Sequence, residues 1–113
     1  MKTDREIFQE AFAKVRNPET WCQVDMYTDA DGVPCASWLG VKFCSIGAIA
    51  RACGNTRLVE PEIALESPVY KALKSALPQE SLSRFNDTRT HAEVVELWER
   101  VGRKHGWLEE VEV

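Results

Sequence analysis

The stretch Lys42–Asn55, KFCSIGAIARACGN, decides the fold. Small and branched apolar residues follow a cysteine and run on to Gly54 and Asn55, which predicts one helix that begins at Cys44 or Ser45. Gly54 and Asn55 both tolerate left-handed backbone and predict its C-terminal end. Because small residues leave this helix thin, neighbouring helices can approach closely, and we expect it to lie centrally. Those small residues are Gly47, Ala48 and Ala52.

Three further helices are predicted from their start signals. Thr3 with Glu6, and Thr90 with Glu93, form the pattern in which a threonine caps a helix and a glutamate three residues later reaches back. Ser67, which is followed by a proline, is a third start signal. Apolar residues follow each start at helical spacing, so each predicted helix has one face for the core.

Two segments between these helices carry weaker patterns. Gln79–Phe85 adds a short helical turn, and Thr56–Glu66 is expected to be a connector with one short apolar patch. A small β-hairpin is predicted ahead of the central helix. Its first strand alternates apolar and polar residues, its turn is Asp29–Gly32, and its second strand runs within Val33–Val41. The alternating apolar residues are Cys22, Val24 and Met26.

The fold class is therefore α+β and mainly helical, with about four helices packed with a small β-hairpin. A chain of 113 residues fits one compact domain, residues 1–113. Residues 108–113 are expected to form a flexible acidic tail, because glutamates dominate them.

Composition and charge exclude some classes of protein. Hydrophobic residues are 44% and charged residues 28% of the chain, as in ordinary globular proteins. The formal net charge of −4 argues against general nucleic-acid binding, which needs clustered lysines and arginines. No apolar segment approaches the roughly 20 residues that cross a bilayer, and the amino terminus is too polar for a secretory signal. We therefore expect a cytoplasmic protein without a membrane partner and with reduced cysteines.

Cys44 has two interpretations. A thiol at a helix start is favoured as thiolate, and with His91 as a base and Asp87 as its orienter it would suit acyl transfer by a cysteine hydrolase. The alternative is packing, since free cysteine is among the most buried residue types. The sequence favours packing, because nothing in the spacing shows that these three residues meet.

Metal and cofactor sites are not predicted. The four cysteines are 13, 9 and 9 positions apart, so no pair has the two-to-four-residue spacing of structural zinc sites. Asp29–Gly32 resembles part of a calcium loop, but Tyr27 and Trp38 occupy positions that need oxygen ligands. We expect no cofactor.

Four residues are candidates for binding. Asn86 and Asp87 precede the last predicted helix, where their side chains can bond to backbone or to a ligand. Trp38 and Trp107 lie near a loop and near the chain end, where an exposed aromatic residue can anchor a partner.

The combination of these features resembles a family of small bacterial, notably actinobacterial, and phage domains of unknown function. The similarity spans about residues 7–101. It implies a compact, mainly helical domain of cytoplasmic or phage-encoded origin and transfers no catalytic residue. The residues that carry it are Trp21, Gly32, Cys44–Ile49, Phe85–Asp87, and Thr90 with Glu93.

The resemblance also suggests that the central helix and the Asn-Asp pair form one structural joint. In this hypothesis Cys44 is buried, Gly47 permits a close contact, and Asn86 or Asp87 bonds to a free N–H at the helix start. In this hypothesis the side chains of Asn86 and Asp87 stabilise the fold, and ligand binding is not their main role.

The leading functional expectation is a non-enzymatic interaction protein, phage- or mobile-element-encoded, that binds a host or cellular protein through an exposed aromatic and acidic surface. Two alternatives stay open. One is the cysteine-dependent acyl-transfer hydrolase, and the other is a small-molecule-binding domain with its pocket between the hairpin and the helices. The sequence does not indicate the oligomeric state.

Overall fold

The computed structural model describes residues 2–54 and 61–108, and of residues 37 and 61–63 it describes the backbone alone. Within that part the chain is mainly helical, with six α-helices and a two-stranded antiparallel sheet. In chain order the elements are α1 Asp4–Arg16, β1 Tyr27–Thr28, a 3-10 helix Ser37–Leu39, β2 Lys42–Phe43, α2 Ser45–Cys53, α3 Pro61–Glu66, α4 Pro68–Ser75, α5 Leu82–Thr88 and α6 His91–Lys104.

The predicted class is confirmed, but the prediction of about four helices is wrong. The segment predicted as a connector contains α3, and the predicted turn before Phe85 is extended into α5, which runs to Thr88. Both helices are shorter than two and a half turns, so too few residues fall on one face to show a helical period. The rest of the predicted connector, residues 56–60, lies outside the described residues, as does Asn55 of the predicted helix stop.

Helix α2 lies at the centre, as predicted from its small residues. Seven of its nine residues are buried, and it contacts α1, α3, α4 and α5. Cys44 is its N-cap, and the Cys44 sulfur accepts a hydrogen bond from the Gly47 N–H at 3.4 Å. The helix ends at Gly54 as predicted, although Gly54 is extended (φ −148°) and not left-handed.

The three other predicted helix starts are confirmed. Thr3 and Glu6 form a capping box on α1, with both reciprocal hydrogen bonds present. Thr90 and Glu93 do the same on α6. Ser67 caps α4 through the Val69 N–H, and the proline that follows occupies the first turn.

The hairpin is smaller than predicted and shifted along the chain. Tyr27 pairs with Phe43 and Thr28 with Lys42, whereas the predicted strand around Val24 consists of bends. Val24 has a φ of +76°, which breaks the alternation that a strand requires. The predicted turn is confirmed, because the Asp29 carboxylate accepts from the backbone N–H of Asp31 within it and from that of Val33 directly after it.

An aromatic cluster fills the core between α1 and α6. Phe8, Phe12 and Trp98 are all buried, with the Phe8 and Trp98 ring centroids 5.5 Å apart and the Phe12 ring stacked on Trp98. Leu108 packs against this core, while the rest of the predicted tail, residues 109–113, lies outside the described residues.

Candidate functional site

A buried polar network joins the start of α2 to α5. The Asn86 side chain is completely buried, and its Oδ1 accepts hydrogen bonds from the Ser45 N–H (3.0 Å), the Ser45 hydroxyl (2.8 Å) and Trp21 Nε1 (2.9 Å). The Ser45 oxygen accepts from Trp98 Nε1 at 3.1 Å. Asn86 Nδ2 donates to the Cys22 carbonyl at 3.1 Å. These five residues are called the Asn86 joint below.

The hydrogen-bond network extends beyond the joint to the next two residues along the chain, Gln23 and Val24. Gln23 Nε2 donates to the carbonyls of Asn86 (3.2 Å) and Arg89 (3.0 Å), and the Val24 N–H donates to Asp87 Oδ1 at 2.7 Å. Every residue from 21 to 24 is therefore bonded to α5 or to the residue that follows it. The backbone of residues 21–24 is held against α5 at the point where the chain continues into exposed residues.

The structure confirms the joint hypothesis and identifies Asn86 as the residue that bonds to the helix start. Gly47 is required there, because a Cβ at this position would collide with the Met26 carbonyl oxygen. The expected position of Asn86 and Asp87 is corrected: both lie within the last turn of α5 and do not precede α6 directly. Their hydrogen bonds hold backbone and side chains of this chain, which is the use that the sequence favoured over ligand binding.

Cys44 lies inside the fold. Its side chain is 6% exposed, and burial raises the pKa of the thiol from the ordinary 9.0 to about 11. The helix-start N–H of Gly47 acts in the opposite direction on this pKa, but burial is the larger effect. At neutral pH the group is a protonated thiol, which is a poor nucleophile.

The three candidate residues for acyl transfer do not form a hydrogen-bonded triad. His91 Nε2 lies 2.7 Å from the Val15 carbonyl oxygen, and the imidazole packs against Trp21. Asp87 bonds to the Val24 N–H and to Asn86. Within the part of the chain that the structure describes, no hydrogen bond connects Cys44 to His91 or His91 to Asp87.

The exposed apolar surface is concentrated in one segment. Of the six large hydrophobic side chains that are exposed among the described residues, five lie within residues 24–41, here called the presented loop. Val24 is 78% exposed and Trp38 is 54% exposed. The sixth is Leu65 on α3. The other exposed members of the loop are Val33, Leu39 and Val41.

Val24 is held in strained backbone at the start of this loop. A positive φ is an outlier for a β-branched residue and costs of order 1–3 kcal/mol. The hydrogen bond from its N–H to Asp87 keeps the residue in this conformation and its side chain in solvent. Nothing in the sequence signals this, because glycine or asparagine is the usual residue at such a backbone position.

The two candidate tryptophans lie in different environments. Trp38 lies on the 3-10 helix of the presented loop, with more than half of its surface exposed. Trp107 is half-buried, with its ring centroid 5.5 Å from that of Phe8 and 4.7 Å from that of His105. Trp38 is thus the more available anchor.

A surface pocket of about 570 Å³ lies between the joint and the presented loop. Its polar lining brings together a cation, an acid and an imidazole from separate parts of the chain, with Trp21 beside them. The residues that supply these groups are Lys42, Asp25 and His91. It lies between the hairpin and the helices, the position named in the small-molecule alternative, which stays a prediction.

One comparison with known protein families gave a match that covers most of the chain. Residues 1–104 match the model of a family of unknown function, DUF6197. The chain belongs to DUF6197. The DUF6197 match includes Trp21, Ser45, Asn86 and Trp98, as well as the whole presented loop, and ends before His105.

Searches of curated proteins and of solved structures gave no match to this DUF6197 chain. Among residues 2–54 and 61–108, none of the helices has both the length and the apolar character needed to cross a membrane. All four cysteines are free thiols.

Proposed function

We propose that this DUF6197 protein is a non-enzymatic interaction protein that binds a protein partner through the presented loop. One observation carries the proposal: five of the six exposed large hydrophobic side chains among the described residues lie within residues 24–41. Apolar groups gathered in one exposed region are typical of protein-interaction surfaces, whereas single scattered ones are ordinary.

The way in which the loop is held supports the same function. Hydrogen bonds from the segment that starts at Trp21 fix the first end of the loop to α5, and β2 continues directly into Cys44 at the other end. A surface ordered before binding loses less conformational entropy when a partner arrives. The strained φ of Val24 fits a binding role, because the local cost brings no packing in return.

Trp38 is the proposed anchor of this surface. Tryptophan is enriched among the few interface residues that carry most of the binding energy. Asp25 and Asp31 lie in the same loop and give it the acidic character expected for the surface. We propose a partner that offers an apolar pocket with a basic rim, since electrostatic complementarity selects partners.

The origin is proposed on the resemblance, and the location on the resemblance together with the free thiols. An actinobacterial or phage source, and a host protein as the partner, follow from the family that the motifs resemble. A cytoplasmic location agrees with the four free thiols.

The pocket beside the loop favours small-molecule binding as a second candidate. A volume of about 570 Å³ lies in the range of ligand sites, and Lys42 with His91 would suit an anionic group. A thermal-shift screen against a metabolite panel tests this, because a ligand of the native state raises Tm. Acyl transfer has less support, since it needs an exposed thiolate and Cys44 is buried with a raised pKa.

The experiment compares affinity purifications from cells that naturally encode the protein, with three baits analysed by quantitative mass spectrometry. The wild-type bait is compared with the double variant Trp38→Ser/Leu39→Ser and with the control Leu65→Ser. Among the described residues, Leu65 is the large exposed hydrophobic side chain outside the loop, so the control removes similar apolar surface elsewhere.

We expect specific partners with the wild-type and control baits, and at least about a tenfold loss with the double variant. Equal recovery by all three baits would place the interaction elsewhere. Failure of every bait to enrich a protein, together with a ligand found in the thermal-shift screen, would favour the second candidate.

A further inference from the structure

A second surface, far along the chain from the presented loop, combines positive charge with an aromatic face. A groove of about 560 Å³ runs between the start of α1, helix α4 and the end of α6. It is open to solvent along its length. Its charged and aromatic lining consists of Asp4, Lys71, Lys104, His105 and Trp107.

The two lysines of the groove have no ion-pair partner in the described part of the chain. Lys71 and Lys104 are exposed, and neither ammonium group donates a hydrogen bond to a described residue. Two other lysines are engaged: Lys2 pairs with Glu10, and Lys74 donates to two backbone carbonyls. Asp4 also lines the groove, so two lysine ammonium groups stand against one carboxylate, which leaves a local excess of positive charge on a protein of net charge −4.

The aromatic face of the groove is held rigidly. The backbone N–H of Trp107 donates to the Gly102 carbonyl at 2.8 Å, and Gln9 Nε2 donates to the backbone carbonyl of Trp107 at 3.2 Å. The indole packs on Phe8, and the His105 ring stacks on it with an interplanar angle of 17°. A turn at Gly106, with a φ of +73°, brings the two rings together.

We propose that this groove binds an acidic peptide segment of a partner protein. Lys71 and Lys104 each pair with a carboxylate of the peptide, and the solvent-exposed part of the Trp107 indole contacts an apolar side chain between those carboxylates. The groove is open, which suits an extended chain better than a small molecule that needs enclosure. Two lysines are too few to hold a nucleic-acid backbone, whose binding rests on many phosphate contacts.

The proposal is independent of the presented loop. The groove and the loop share no residue, since the groove is built from α1, α4 and the end of α6. The protein then has two surfaces for partners, one apolar with an exposed tryptophan and one basic with a half-buried tryptophan.

The test uses the full chain and a fluorescein-labelled peptide made of four glutamates around a central leucine. Fluorescence anisotropy gives the affinity, and ¹⁵N NMR shifts give the position of binding. The variant is Lys71→Glu/Lys104→Glu. The matched control is Arg100→Glu, an exposed cation on α6 that does not line the groove. Circular dichroism melting checks that the variants fold, and the same peptide with glutamines checks the charge.

We expect the double variant and the glutamine peptide each to weaken binding by about tenfold, with the control within about twofold of the wild-type chain. The NMR shifts should centre on Lys71 and Trp107. Unchanged affinity in the double variant overturns the proposal. So does a peptide that fails to bind at millimolar concentration, or displacement by inorganic phosphate at lower concentration than by unlabelled peptide.

One further arm separates this proposal from the proposed function. Peptide binding by Trp38→Ser/Leu39→Ser should equal that of the wild-type chain. A loss in that variant would move the peptide to the presented loop and overturn the groove proposal. Loss of the cellular partner in the same variant, with peptide binding intact, supports both.

Discussion

The Asn86 joint and the presented loop are connected through Trp21 and Cys22, and they differ in which side chains they bury: the joint buries polar groups and the loop exposes apolar ones. The joint places an amide, a hydroxyl and two indole N–H groups in the interior, where Asn86 is completely buried. The loop places valine, leucine and tryptophan side chains in solvent. Burial of polar groups is tolerated only when each finds a partner, and exposure of apolar groups forgoes the hydrophobic gain of folding.

The comparison indicates that the joint supplies the stabilising hydrogen bonds and that the loop depends on them for its conformation. Each hydrogen bond of the joint contributes about 1 kcal/mol, and several act on residues that lead into the loop. The loop contributes little burial at its exposed side chains. It keeps its conformation because the joint, the Asp29 turn and the two-residue sheet fix its backbone.

The largest expected effect follows from removal of the joint's centre. Asn86→Ala should lower the free energy of unfolding by about 3–4 kcal/mol, because the N–H and hydroxyl of Ser45, the indole of Trp21 and the carbonyl of Cys22 lose their partner. Urea denaturation measures the change. Asn17→Ala, at an exposed C-cap, is the control, and a loss below about 1 kcal/mol for Asn86→Ala would show that the joint is not the stable region.

A smaller loss is expected where the joint meets the loop. Gly47→Ala should cost about 2–3 kcal/mol, since its Cβ would strike the Met26 carbonyl and α2 would have to move. Gly54→Ala, where a Cβ meets nothing within 4 Å, is the matched control. Equal midpoints in urea for the two variants would mean that α2 does not need the close approach.

The buried thiol of Cys44 should make the free energy of unfolding depend on pH, which tests the interior of the protein separately from the loop. The pKa of Cys44 is about 11 in the folded protein and 9.0 ordinarily, so between these values the folded chain keeps a proton that the unfolded chain releases. This stability is fully present below about pH 9 and is lost as the pH rises to about 11, by roughly 2–3 kcal/mol.

Urea denaturation from pH 8 to 11 measures that loss, and Cys44→Ala should make the decline shallower. The raised pKa of Cys22 acts in the same direction and the lowered pKa of Lys14 acts against it, so the difference between wild-type and variant is the informative quantity. Parallel profiles for the two chains would contradict a buried, protonated Cys44.

The smallest expected effect has the opposite sign and concerns the loop. Val24→Gly should raise the free energy of unfolding by about 1 kcal/mol, because glycine adopts a φ of +76° without strain and the lost side chain is exposed. Val24→Ala keeps most of the strain and should stay near the wild-type value. A destabilised Val24→Gly would show that the valine contributes packing and is not held at a local cost.

The sequence predicted the features that depend on residues within four positions of one another. Thr3 with Glu6, Ser67 with its proline, and Thr90 with Glu93 fix helix starts through bonds that close within one turn. The central place of α2 followed from its small side chains, and the sequence favoured burial of Cys44 because free cysteines are usually buried. The short helices α3 and α5 were not predicted in full, because six or seven residues show no clear helical period.

What the sequence by itself determined is therefore the helical framework and the start and end of its central helix, because local hydrogen bonds and side-chain size decide them. The tertiary structure alone decided which groups meet Asn86, since Ser45 and Trp21 lie 41 and 65 positions away from it. It also decided that Val24 has a positive φ and that the apolar residues of the presented loop remain in solvent. Those outcomes depend on the packing of the whole chain, and no pattern of neighbouring residues encodes them.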